Sequence, residues 1–396
     1  MMTVVEQGFN IKMKDWRHDM TPRERLKVVM AGGIPDRVPV CPDISNMVPA
    51  RMTGKPFWEV YVKHDPPLWK AYIDAVKFFG IDGGFEMCGG DPCPDEDAAM
   101  AWEARVVRRF PDGSFATQGF NAATGEWSPR LLLHTADNPP AYVAPEKLGL
   151  PRTPSEWESL DGVKRWPEGL ELWRLMKKEM GEHGVVGTWS GSTTCVVTSP
   201  EDIYEYYDDP AKFHERRDQM MARLERRMER IAALSPADRP DVLYCGGSGS
   251  LVWQTPSMFR ELALPLLRKA TGMARDLGVP THVHSCGPET ELVRMAALET
   301  ELTVVDPLEI PPMGDCDLAG LKRLYGQQIV LKGNLHTTEV MLRGSRQKVV
   351  DASRQAIAAA GRGGRFILST GDQCGRDTPD ENLFAMVETA GRHGKY

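Results

Sequence analysis

Two residues on one short segment, and a third far downstream, are of the types that hold a soft metal ion. The segment Thr281–Gly287 reads THVHSCG, which sets His284 two residues before Cys286, and Cys374 follows in STGDQCG. Side chains on a strand alternate with period two, so His284 and Cys286 would project the same way from one extended segment. One imidazole and two thiolates suit a borderline-soft cation such as zinc. Three protein ligands leave a fourth tetrahedral position open, the mark of a catalytic zinc rather than a structural one. The competing reading is plain: residues two apart pair by chance, and most buried cysteines are small hydrophobes. Cys41, Cys195, Cys245 and Cys316 have no partner at ligand spacing and are read that way. Cys88 and Cys93, a C-x4-C pair in a Gly/Pro-rich loop, are read as thiols without function.

The elements that carry these residues decide between the two readings. A helix start stands at Thr21-Pro22-Arg23-Glu24, a capping box with proline at the first helical position. From there, short apolar runs alternate with helical patterns. The runs are Arg37–Cys41, Gly80–Phe85, Val185–Trp189, Val242–Cys245, Val279–His284, Leu302–Val305, Gln328–Lys332 and Arg365–Ser369. Helices are expected from Ser199-Pro200, over Phe213–Leu234, from Thr255-Pro256 to a glycine stop, over Thr337–Ala360, and over Thr378–Ala390. Strands alternating with helices argue for parallel βαβ units, and eight of them argue for a (β/α)8 barrel of the TIM type. One stretch breaks the rhythm. Between the second and third runs lies an insertion, about residues 89–183, which is expected to cover the C-terminal mouth of the barrel. Within it, Arg105–Phe110 and Ser114–Phe120 flank Pro111-Asp112-Gly113, a hairpin signal, whereas Asn138–Pro154 is proline-rich and expected to be irregular. Residues 1–19 read as an N-terminal extension and 20–396 as a single barrel domain.

In such a barrel the polar residues ending each strand converge on one pocket. Asp43 follows the first run, Glu86 the second, Ser190 the third and GGSGS (Gly246–Ser250) the fourth. His284 and Cys286 end the fifth, Asp306 and Glu309 the sixth, Asn334 and His336 the seventh, Asp372 and Cys374 the eighth. Strand interiors are nearly all aliphatic. Convergence from adjoining strands is much harder to obtain by chance than a two-residue spacing, and it favours the metal reading. His282 is expected to face the helix layer instead. The GGSGS turn is of a kind that cradles phosphate, or that only lets a substrate approach the backbone.

Composition closes off other classes. Of the 396 residues, 41% are hydrophobic and 26% charged, as in ordinary globular chains. The balance of 48 basic against 55 acidic residues gives −7, with no basic tract for nucleic acid. No apolar run approaches the roughly 18 residues of a membrane span, and the N-terminus lacks a signal peptide's apolar core, so a cytoplasmic protein is expected. Eight cysteines in a reducing compartment are thiols, available as ligands or core filler.

MTPRERLKVVMAGGIPDRVPV from Met20, DLGVPTHVHSCGPETELV, VVDPLEIPPMGD, IVLKGNLHT and the closing TPDENLFAMVETA together resemble the uroporphyrinogen decarboxylase superfamily, in order and spacing, over roughly residues 20–396. The resemblance implies a single TIM-type barrel. True decarboxylases of the superfamily carry an arginine-bearing RQAGRY-type motif after the first strand, which grips the porphyrinogen carboxylates. Here that region reads CPDISNMVPARMTGKP, and Arg51, the one arginine nearby, is out of place. The H-x-C…C pattern is instead similar to the zinc methyltransferase branch, including methylcobamide:coenzyme M methyltransferases and related O-demethylases. That likeness implies His284, Cys286 and Cys374 as zinc ligands.

Methyl transfer to or from a corrinoid is a displacement at a methyl carbon, and zinc on the heteroatom stabilises the alkoxide, phenolate or thiolate. Glu86 or Asp306 is assigned the fourth ligand position or the proton, and Asp372 the orientation of substrate. Asp43, Ser190, Asn334 and His336 are candidates for substrate binding. Corrinoid dependence follows from the resemblance alone. The chain has no cobalamin-binding D-x-H-x-x-G signature, so a corrinoid would come on a partner protein or free. The insertion and the ten Trp and twenty Met point towards an apolar, methoxylated aromatic substrate. The alternatives are a metal-free decarboxylase and a non-catalytic accessory protein that binds metal or corrinoid.

Overall fold

A computed structural model of the chain describes residues 19–85, 90–94 and 102–396. Six parallel strands form the main sheet, in the order Phe366–Thr370, Val330–Leu335, Val304–Asp306, Thr281–His284, Val242–Tyr244 and Gly187–Trp189. Each is followed by helix, as the alternation of apolar runs and amphipathic stretches requires. Two shorter extended segments complete the ring. Val40 bridges Leu368 in parallel, Gly83 bridges Gly184, and Asp82 N donates to the Val40 carbonyl at 2.8 Å. The expected (β/α)8 barrel is therefore present, with its first two strands reduced to single bridges. The physical reason lies in Pro39, Pro42 and Gly83-Gly84, which cannot sustain long ladders.

Period-two alternation divides the apolar side chains into two cores. Phe85, Val185, Val242, Tyr244, Val304, Val330 and Ile367 fill the barrel interior. Their sequence neighbours Val186, Leu243, Val283, Val305, Leu331 and Leu368 pack outward against the helices. Leu26, Val29 and Met30 of helix Pro22–Met30 join the inner core, so this helix packs against the barrel interior. Its capping box forms as expected, with the Thr21 hydroxyl accepting from Glu24 N and the Glu24 carboxylate accepting from Thr21 N.

Helix Pro210–Ala233 and the stretch from Pro256 to Asp276 lie where their periodicity puts them. The latter carries a π turn at Phe259–Ala263, just before Pro265, whose missing N–H interrupts the α ladder. The expected helix Thr337–Ala360 is broken into a π segment, Thr337–Leu342, and Arg346–Ala360, which is capped by Ser345. Among the described residues no helix is long and apolar enough to cross a membrane.

Residues 102–159 form a separate five-stranded antiparallel sheet, in the order Ala141–Val143, Glu126–His134, Phe115–Asn121, Trp102–Arg109 and Glu158–Ser159. The Pro111-Asp112-Gly113 turn closes its first hairpin, with Arg109 opposite Phe115. The Asn138–Pro154 stretch is more ordered than its prolines suggest, since it holds a three-residue strand and a 3-10 turn at Pro145–Leu148.

One ion-pair network fixes the start of the barrel. The buried Arg25 donates to Asp36 at 2.7 Å, to the Met20 carbonyl at 2.6 Å and to the fully buried Asp82. Asp82 also accepts from Arg37 at 3.1 Å and Val40 N at 2.7 Å, tying the first two strands together. Removing one partner of such a set leaves an uncompensated buried charge. Arg25→Met is expected to lower stability by about 3–5 kcal/mol, read from urea unfolding. A loss within about 1 kcal/mol would place the network's weight elsewhere.

Candidate metal centre

The site is built at the ends of three adjacent strands. His282 pairs with Val304, and His284 with Asp306, while Val304 pairs with Val330 on its other side. Alternation turns Val283, Val305 and Leu331 to the helices and the residues between them to the barrel interior. His282 is among those facing inward. Two residues from His284 on a strand, it shares that residue's phase, and its ring packs edge-on against Phe85 (5.2 Å) and Tyr244 (5.8 Å). The expectation that it faces the helix layer is corrected on that ground.

Asp306 is the hub. Its Oδ1 accepts from His282 Nε2 at 2.7 Å and His284 Nδ1 at 3.1 Å, and Lys332 Nζ pairs with Oδ2. Asp306 and Lys332 are both fully buried. Burial opposes ionisation of Asp306, but Lys332 and the two histidines outweigh it and hold the carboxyl well below the usual carboxylate range. Burial likewise opposes charge on His284. Attraction to Asp306 and the hydrogen bonds to Asp306, Asp372 and Cys286 nonetheless raise its pKa well above the ordinary imidazole value. The pocket thus favours positive charge at this ring.

With Nδ1 directed to Asp306, the other ring nitrogen is left for the site. His284 Nε2, Cys286 Sγ and the Asp372 carboxylate lie within 4.8 Å of one another. Nε2 is 3.2 Å from Cys286 Sγ and 3.6 Å from Asp372 Oδ1, and Sγ is 3.4 Å from Asp372 Oδ2. Bond lengths of about 2.0–2.3 Å at tetrahedral angles separate zinc ligands by about 3.3–3.8 Å. The spacing and the N, S, O donor chemistry both fit such an ion. A carboxylate behind the metal-facing histidine is the usual arrangement for fixing the ring and its tautomer. The Ser248 hydroxyl, on the glycine-rich turn, adds a hydrogen bond to Cys286 Sγ at 2.8 Å.

Cys374 does not join these donors in the structure. The strand ends at Thr370, so period-two alternation no longer governs residues 372 and 374, and Asp372 sits at φ 136°. Asp372 turns to the cluster. The Cys374 thiol is fully buried beside the Thr370 and Thr378 hydroxyls, and burial, then the nearby Asp43, push its pKa up to about 12.

The other expected residues divide. Glu86 and Cys88 lie outside the described residues. Ser190 is fully buried, its hydroxyl donating to the Tyr244 carbonyl at 3.2 Å, a contact internal to the barrel wall. Asp43 is buried beside the eighth strand, its N–H donating to Thr370 Oγ1 at 3.0 Å and its carbonyl accepting from Cys374 N at 2.8 Å. Asn334 and His336 line a small cleft with Glu309, Ile310, Met313 and Asp372. His336 Nδ1 accepts from Thr338 N and Glu339 N, both at 3.2 Å, so a neutral ring carries its proton on Nε2 as a donor.

Sequence reasoning missed Lys332 and Glu289, and it placed the turn Gly246–Ser250 at the pocket without singling out Ser248. Glu289 is fully buried, with Oε2 accepting from Leu308 N at 2.5 Å and Oε1 unpartnered. Burial and then Asp306 raise its pKa well above the usual range. A lysine directly after Val330 and Leu331 in the strand VLKGNL was the available signal for the first of these.

Residues 249–393 match the uroporphyrinogen decarboxylase (URO-D) family. A curated uroporphyrinogen decarboxylase of Anaeromyxobacter dehalogenans (strain 2CP-C) is 32% identical over 134 residues, covering 34% of this chain. The match spans only 36% of that relative's own length. Among solved structures, a methyltransferase from Methanosarcina mazei superposes with a TM-score of 0.61 at 17% identity, covering 94% of this chain and 98% of that one. At that identity the likeness is one of fold.

The Asp306 hub makes a direct prediction. Asp306→Asn leaves Lys332 buried without its counter-charge and is expected to cost about 3–5 kcal/mol. Adding Lys332→Met should restore part of that loss in urea unfolding. A double variant as unstable as the single one would refute the pairing as the cause.

Proposed function

We infer that this chain, a protein of the uroporphyrinogen decarboxylase superfamily, is a zinc-dependent methyltransferase. It moves a methyl group between a small O- or S-methyl compound and a corrinoid that is free or carried on a partner protein. The observation that carries this reading is the donor cluster of His284, Cys286 and Asp372, with Asp306 behind the histidine. These three residues would hold the zinc, with Cys374 as the third ligand that the family resemblance implies in place of Asp372. Zinc bound there supplies Lewis acidity towards the ether oxygen or thiol sulfur that gives up or accepts the methyl group.

The remaining work falls to the protein. Asp306 holds the His284 ring in register. Ser248 donates to the Cys286 sulfur and moderates its charge. The His336 Nε2–H and the Asn334 amide offer donors to a polar group of the substrate, and Ile310 and Met313 give the cleft an apolar wall. Trp189, the last residue of its strand, and Val252, Trp253, Ile310 and Met313, beyond the ends of theirs, are exposed. An apolar rim of this kind favours an aromatic methoxy substrate or a docked corrinoid carrier.

The family match itself favours a second reading, decarboxylation of a polycarboxylate. That chemistry needs free arginines at the mouth, and Arg51 is paired with Asp380 instead.

Elemental analysis separates the readings. Wild type should carry about one zinc per chain, and Cys286→Ala should lose it. Loss in Asp372→Ala with retention in Cys374→Ala would support the ligand set in the structure, and the converse would support the family's set. A zinc-free wild type, or full activity after chelation, would sink the methyltransferase reading. His336→Ala should raise KM for the methyl compound about tenfold while changing kcat less, in steady-state assays with methoxylated arenes and methyl thioethers.

A further inference from the structure

The opposite face of the barrel holds a cavity of about 430 Å³, lined by residues that precede their strands. Asp241 comes just before Val242–Tyr244, Pro280 before Thr281–His284, and Arg365 before Phe366–Thr370. Helix Pro22–Met30 closes one side with Lys27 and Met30, and Val279 and Leu302 make the rest of the wall largely apolar.

The charges around this cavity do not balance. Asp241 is held by Arg23 at 2.8 Å and by Val186 N at 3.0 Å, with Lys27 a further 3.8 Å away. Glu301 is held by Arg275 at 2.9 Å. Each lining carboxylate therefore has its cation. Arg365 has none: among the described residues its guanidinium makes no ion pair and no hydrogen bond, although it is half-buried. Its neighbour Lys322 adds to the imbalance, since among the described residues Lys322 Nζ bonds the Gly364 carbonyl and no carboxylate. Burial, then repulsion from Arg365, bring the Lys322 pKa down to about 8.

The backbone holds Arg365 in this position against its own preference. Gly363, Gly364 and Arg365 have φ of 81°, 74° and 50°, three successive left-handed residues of which only the last carries a side chain. Such a conformation is unfavourable for a non-glycine residue and persists where the surroundings require it. Gly32 completes the arrangement. A Cβ there would fall 2.2 Å from a guanidinium nitrogen of Arg365, so the absence of a side chain at 32 makes room for the arginine.

We propose that this cavity is a binding site for a small organic anion, whose carboxylate or phosphate group pairs with Arg365 and whose apolar body lies against Met30, Val279 and Leu302. An unpaired, half-buried guanidinium is the planar donor best matched to either group, and the volume exceeds what an inorganic ion alone would fill. The site lies away from the donor cluster, and the proposal stands whether or not the chain transfers methyl groups.

The test is titration of the full-length protein with benzoate, phenyl phosphate and benzyl alcohol, followed by ligand-observed NMR and calorimetry. Benzoate or phenyl phosphate should bind wild type, the stronger of the two identifying the anion. The neutral alcohol should bind at least about tenfold more weakly. Arg365→Gly and Arg365→Gln should each lose the anion's advantage, while Cys286→Ala keeps it. Glycine suits the left-handed φ, so Arg365→Gly should melt no lower than wild type, and its loss of binding cannot be put down to misfolding. Absence of anion binding in wild type, or equal binding in both Arg365 variants, would overturn the proposal.

Discussion

A single buried carboxylate organises the centre of this molecule. Asp306 lies inside a parallel barrel whose other interior positions are largely aliphatic or aromatic, and it takes hydrogen bonds from His282 and His284 while pairing with Lys332. An isolated charge there would be prohibitively costly, and an ion pair alone would do little better than break even against apolar packing. Saturating both oxygens is what makes the arrangement tolerable. It also imposes geometry, because the three donors come from two neighbouring strands and must be in register for Asp306 to reach them all. The side of His284 that faces Cys286 and Asp372 is thus set by the buried carboxylate behind the ring.

The barrel's two faces use this rigid centre differently. At the strand ends, short loops place Cys286 and Asp372 beside the nitrogen that Asp306 leaves free, Ser248 bonds the Cys286 sulfur, and Ile310 and Met313 line a small cleft with Asn334 and His336. At the strand beginnings, a helix packs against the inner core while a left-handed turn holds an arginine beside a cavity. Loops can vary without disturbing the strands, so one scaffold can host different chemistries. In this chain Arg51, after the first strand, is engaged with Asp380, and one imidazole, one thiol and one carboxylate cluster at the mouth.

Much of the architecture was legible. The eight apolar runs fall on the barrel's strands and bridges, and the capping residues Thr21, Ser199 and Thr255 open their helices as read. These signals are local: a cap is satisfied within one turn, and a strand's alternation is set by its own pleat. Several helices without strong caps were not identified, including Leu68–Phe79, Gly169–Met180 and Thr290–Glu299, because tertiary packing rather than terminal chemistry stabilises them. The first hairpin of the 102–159 sheet was visible from its turn, whereas the pairing of its remaining strands was not.

At the site, the sequence by itself determined that His284 and Cys286 come from one short segment at a strand end and that neighbouring strands also end in polar residues. Only the tertiary structure decided which of those residues meet. Asp372 rather than Cys374 approaches the cluster, because the alternation rule lapses where the strand ends at Thr370. Ser190, placed at the mouth by its position, turns its hydroxyl into the barrel wall, and Lys332, hidden in an aliphatic run, turns out to neutralise Asp306. Periodicity fixes direction along one strand. Contact between strands depends on register, on loop conformation and on the need of each buried charge for a partner, and these arise only when the chain is folded.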